Sequence, residues 1–116
     1  VKNSNDDLKK LAKDGIKPSY TASQYSGWSS SLAEAFNDCG TNFVTVSDII
    51  DKMKNDADVL TLINIYGTRS YGSCLLAGEW DDKEYSLPKA MESELSSGQK
   101  QEINQKLSKK GIKYQF

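Results

Sequence analysis

The chain has 116 residues, the size of one domain, since a typical domain takes about 100–150 residues, and it can bury a core without the staples common below about 40 residues. Fifteen Lys and Arg stand against 16 Asp and Glu, a net charge of −1, which argues against a general nucleic-acid binder because phosphate contacts need a basic excess. There is no histidine, which removes Ser-His-Asp and Cys-His catalysis, histidine metal ligation and the usual near-neutral proton switch together.

The first apolar stripe, Leu8, Leu11 and Ala12, predicts a helix that Ser4 can cap. Gly15 would stop it in a left-handed cap, with Ile16 folding back on Leu11 and Pro18 just beyond. Thr21 and Gln24 have capping-box spacing, and the helix they open carries Tyr25, Trp28, Leu32, Ala35 and Phe36 as a core stripe. Gly27 costs that helix about 1 kcal/mol relative to alanine.

Cys39-Gly40-Thr41-Asn42 breaks the chain, and Thr45 or Ser47 is expected to start a third helix with Val46, Ile49, Ile50 and Met53 inward. Asp56 or Asp58 is expected to cap a fourth, running through Val59, Leu62, Ile63 and Tyr66. That run is rich in β-branched residues, yet its apolar spacing fits a period of 3.6 better than 2. From Gly67 to Tyr85 the periodicity lapses, and loops longer than about 12–15 residues are usually functional, disordered or hold short unrecognised structure. Ser86 and Pro88 then open a fifth helix with Leu87, Met91 and Leu95 inward, proline being tolerated in the first turn. Ser96 or Ser97 caps a sixth, bearing Ile103 and Leu107 and closed by Gly111-Ile112. Leu11-Ala-Lys-Asp-Gly-Ile-Lys17 and Leu107-Ser-Lys-Lys-Gly-Ile-Lys113 echo each other, which two similar helix stops explain without a duplication. The expected fold is all-α: a compact bundle of five or six short helices with one long irregular loop, forming a single domain over residues 1–116.

Candidate chemistry concentrates in the irregular segment. Arg69, the sole arginine, sits in Gly67-Thr-Arg-Ser-Tyr-Gly-Ser, which lacks the Gly-Lys-Ser/Thr ending of a phosphate loop. It can grip a carboxylate or phosphate, or it can satisfy carbonyls at a helix end that Gly67 terminates. Tyr71, Trp80 and Tyr85 are candidate contact residues for a protein or a sugar. Glu79 and Asp81 are the parts of a glycoside hydrolase without its motif, and helix capping before Ser86 is the simpler role for this acidic stretch. Cys39 and Cys74 are too few for a zinc site and read either as small buried thiols or as a pair formed in an oxidising compartment. No apolar run approaches the roughly 18 residues of a membrane span. The opening is polar and lacks methionine, as in a processed product from which a signal peptide or anchor has been removed.

At Leu32-x-x-Ala35-Phe36-x-x-Cys39-Gly40-Thr41-Asn42 the chain resembles the opening of an annexin repeat, and the likeness continues loosely through the later helices over residues 20–116, with 1–19 as an N-terminal helix and connection. It is also similar to small helical domains of Bacteroidota and their phages, at Gly40-Thr41-Asn42, Lys54-Asn-Asp-Ala-Asp-Val59, Gly67-Thr-Arg-Ser-Tyr71 and Leu95-Ser-Ser97. The annexin resemblance implies calcium held by loop carbonyls near Gly40 and by Asp81 or Asp82, with binding to anionic lipid. The chain departs from that pattern at Asp38, at Asn42-Phe43 and in the length of segment 67–85. The residues therefore lead to a non-catalytic module of a bacterial envelope or phage-associated protein, without a cofactor, contacting a protein or glycan through Arg69, Tyr71, Trp80 and Tyr85. Calcium-dependent lipid binding through Gly40, Asp81 and Asp82 is the alternative. A membrane would be met only through that contact or a removed anchor.

Overall fold

The computed structural model describes residues 4–37, 42–69 and 84–116. Among them are six helices, α1 (Ser4–Lys13), α2 (Ala22–Asn37), α3 (Phe43–Asp51), α4 (Asp56–Tyr66), α5 (Leu87–Glu94) and α6 (Ser97–Lys109). Two short strands, β1 (Thr68–Arg69) and β2 (Tyr85–Ser86), pair between α4 and α5. The fold is all-α, with this antiparallel pair as a minor addition.

Local chemistry explains most of the boundaries. α1 ends in a Schellman turn, with Gly15 at φ 82° and the Ile16 N–H donating to the Leu11 carbonyl at 2.9 Å. α6 ends in the same way, Gly111 at φ 77° and Ile112 donating to Leu107 at 3.0 Å, so the echoed sequences are indeed two similar stops. Thr21 and Gln24 exchange bonds as a capping box: the Thr21 N–H donates to Gln24 Oε1 at 2.9 Å, and the Gln24 N–H to Thr21 Oγ1 at 3.3 Å. Ser96 and Gln99 repeat this before α6, which settles the choice between Ser96 and Ser97. Ser86 caps α5, with Pro88 in the first turn.

Two expected caps are displaced. α3 starts ahead of Thr45 and Ser47, because Asn42 accepts the Thr45 N–H at 3.3 Å and an Asn side chain reaches that donor well. α4 is capped by Asn55 rather than by Asp56 or Asp58: Asn55 Oδ1 accepts the Asp58 N–H at 2.8 Å, which frees both carboxylates for other donors.

α4 lies at the centre. It packs against α1, α2 and α5, while α3 joins α2 to α6. Ala57, Val59, Leu60, Leu62, Ile63 and Tyr66 are all buried, so apolar side chains surround most of the helix, as befits a central element. This accounts for its β-branched composition without any strand. Against it α2 presents Tyr25, Leu32, Ala35 and Phe36. Trp28 is not part of that floor. It is half-buried at the edge, its ring meeting Tyr20 and Tyr25 edge-on with centroids 4.8 and 5.6 Å away. The inward place next to it belongs to the fully buried Ser29, because the inward face of α2 runs through 25, 29, 32 and 36.

The polar anchor of the bundle is Asp58, which is 0% exposed. Its Oδ1 accepts from the Tyr25 hydroxyl and from the Ser19 N–H, each at 2.6 Å, and its Oδ2 accepts from the Lys54 N–H at 2.7 Å. One carboxylate thus joins the α1–α2 connection, α2 itself and the turn before α4. It also sits in the first turn of α4, where the helix dipole favours a negative charge. Its neighbours continue the pattern. Asn55 Nδ2 donates to the Lys17 carbonyl at 3.0 Å, and Asp56 accepts the N–H groups of Lys113 and Tyr114 at 2.8–3.2 Å. On the other side of the turn Lys106 pairs with Asp51 at 3.0 Å, and Lys110 donates to the carbonyls of Asp51 and Met53.

Replacing Asp58 by alanine leaves three donors without their acceptor. Hydrogen bonds to a charged group contribute about 1.5–3 kcal/mol each, and since Ser19 and Lys54 are exposed residues whose amides can turn to water once the carboxylate is removed, Asp58→Ala should cost about 3 kcal/mol. Asp58→Asn, which keeps one acceptor oxygen, should cost less. Urea denaturation measures both, and an Asp58→Ala midpoint equal to that of the parent would contradict this reading.

Candidate interaction site

The α4–β1 junction is set by Gly67. At φ 60° it turns the chain out of the helix, its N–H still donating to the Ile63 carbonyl at 3.1 Å. β1 then pairs with β2 in the register Thr68↔Ser86 and Arg69↔Tyr85. Thr68 Oγ1 donates to Glu84 Oε2 at 3.1 Å and closes the same junction from its exposed side. The two ends of segment 70–83 are therefore clamped together over the end of α4.

Arg69 is half-buried within this clamp. Its Nε donates to the Tyr66 carbonyl at 3.0 Å, and its guanidinium carbon lies 5.2 Å from the centre of the Tyr66 ring. That is the helix-end role weighed in the sequence: the cation satisfies one of the last carbonyls of α4 and faces the negative end of its dipole. Tyr85, its register partner, is half-buried and packed against the core. The structure thus brings Arg69 and Tyr85 together. Tyr71 and Trp80, the calcium candidates Gly40, Asp81 and Asp82, the pair Glu79 and Asp81, and Cys39 with Cys74 all lie outside the described residues.

Among the described residues no group of three or more Cys, Asp or Glu side chains comes together as a metal centre would require. No helix among them is long and apolar enough to cross a membrane. The roles of Asp56 and Asp58 as acceptors for distant backbone groups were not read from the sequence, where both passed for helix caps. The available signal was excess: Asn55-Asp-Ala-Asp58 offers three capping side chains where one is needed. Comparison with family models, with curated proteins and with solved structures returns no match.

Beneath the clamp the Tyr66 side chain is 2% exposed, and its hydroxyl has no hydrogen-bond partner among the described residues. Burial pushes this phenol up to about 12, with the Arg69 charge pulling slightly the other way. Burial also raises Tyr25, where the Asp58 carboxylate adds to the effect, and Tyr114. An unfolded tyrosine ionises near pH 10. The folded chain therefore holds its tyrosine protons more tightly, and their contribution to stability is complete below about pH 10 and lost as pH rises toward about 12. The urea midpoint should hold level up to about pH 9 and fall from about pH 10 upward. Tyr66→Phe should make that fall shallower while changing stability at pH 7 by less than about 1 kcal/mol, because no satisfied bond is lost. A large loss at pH 7 would contradict the account of this hydroxyl.

Proposed function

We propose that the chain is a non-catalytic interaction module, attached in its native setting to a bacterial envelope or a phage particle, that offers segment 67–85 and the adjoining helix ends to a protein or glycan. The observation that supports this reading is the clamp: Arg69 and Tyr85 are register partners, so the residues flanking the segment that carries Tyr71 and Trp80 meet at one place. Aromatic side chains on a short segment anchored to a rigid frame supply contact area at low entropic cost. The frame itself is well specified, with each of α3 to α6 capped by a side chain suited to the task. The nearest approach to a catalytic set in the sequence is Glu79 with Asp81, which no motif accompanies.

The double variant Tyr71→Ala/Trp80→Ala tests the reading. Glycan-array binding and recovery of partners from envelope extracts should be seen with the parent chain and be lost in the variant, while its melting temperature stays within a few degrees. Equal binding by parent and variant would overturn the proposal.

A further inference from the structure

The two echoed helix stops end side by side. The stop of α1 is held by Asn55, which binds the Lys17 carbonyl, and the stop of α6 by the adjacent Asp56, which binds the N–H groups of Lys113 and Tyr114. The first stop carries Lys13 and Lys17 and the second Lys109, Lys110 and Lys113. Between the two stops runs a groove of about 360 Å³ lined by Leu11, Leu60 and Tyr114, with Lys10 on one rim and Lys113 on the other. Both lysines are exposed, and Lys113 makes no ion pair with a described acidic side chain. Asp56, the acid in the lining, already has both carboxylate oxygens engaged with backbone N–H groups. Asp14, in the turn just past the end of α1, makes no ion pair with Lys10.

We infer that this groove is a docking site for an acidic peptide segment carrying one large apolar side chain between its carboxylates. The volume lies at the low end for ligand pockets, which run from about 300 to 1,000 Å³, and suits a single side chain better than a cofactor. The apolar floor takes that side chain, and the cationic rims take carboxylates on either side of it, which is the charge complementarity that selects partners and speeds encounter. The site is separate from segment 70–83 and does not rest on it.

A fluorescein-labelled peptide, Glu-Asp-Glu-Leu-Glu-Asp-Glu, followed by anisotropy at low salt, is the probe. It should bind the parent chain, and Lys10→Glu/Lys113→Glu should weaken it by at least about tenfold. Asp14→Lys should tighten it. Replacing the peptide leucine by serine should weaken it as well, whereas Lys89→Glu on α5 should leave it unchanged. Circular dichroism confirms that these surface variants fold. Tyr71→Ala/Trp80→Ala should bind this peptide like the parent, which separates the site from the proposed function above. Absence of binding at millimolar peptide, or binding indifferent to Lys10 and Lys113, would overturn the inference. So would uptake by phosphatidylserine vesicles without any binding of the peptide.

Discussion

A single carboxylate organises this small bundle. Asp58 lies in the first turn of the central helix with no exposed surface, and it accepts three hydrogen bonds from three separate parts of the chain. A buried charge is costly unless its lone pairs are satisfied. Here the satisfying donors are the Tyr25 hydroxyl and the backbone of two connecting segments, so the charge is stable only when those segments are in place. The requirement ties the path of the chain around α4 to one residue. Asn55 and Asp56 extend the arrangement to Lys17 and to the C-terminal segment, so the stops after α1 and α6 are held at the same helix terminus.

The opposite end of α4 is built differently. There the chain leaves through Gly67 into a two-residue pairing, and the cation of Arg69 closes the helix terminus from below. α4 thus carries two carboxylates in its first turn and meets a guanidinium at its last, in keeping with its dipole. The first end gathers the termini of α1 and α6 and creates the groove between them. The second clamps the ends of the segment that carries Tyr71 and Trp80. Both proposed surfaces therefore adjoin the two ends of one central helix.

Much of this bundle was legible in the sequence because its helix boundaries are local chemistry. Gly15-Ile16 and Gly111-Ile112 announce their turns, and Thr21 with Gln24 announces its box, through residues within a few positions of one another. The caps of α3 and α4 were placed late because several capping residues follow in succession, and local pattern does not rank Asn55 above Asp56. Trp28 was read as core because helical spacing locates a stripe to within one residue, and the structure centres the stripe on Ser29. The Arg69–Tyr85 pairing was not legible: its partners are 16 positions apart and joined by two-residue strands, too short for any periodicity. Nor was the reach of Asp58 to Ser19 across 39 positions, since a carboxylate in a first turn looks the same whether it faces water or a distant amide.

Native-state hydrogen exchange at two backbone amides tests the central role of Asp58 most directly. Ser19 and Lys54 lie in exposed connecting segments, where amides ordinarily exchange freely, yet both donate to the buried carboxylate. The account predicts protection of at least about 10³ for both, opening together with the core amides of α4. Exchange of either amide near the rate of an unstructured peptide would contradict it.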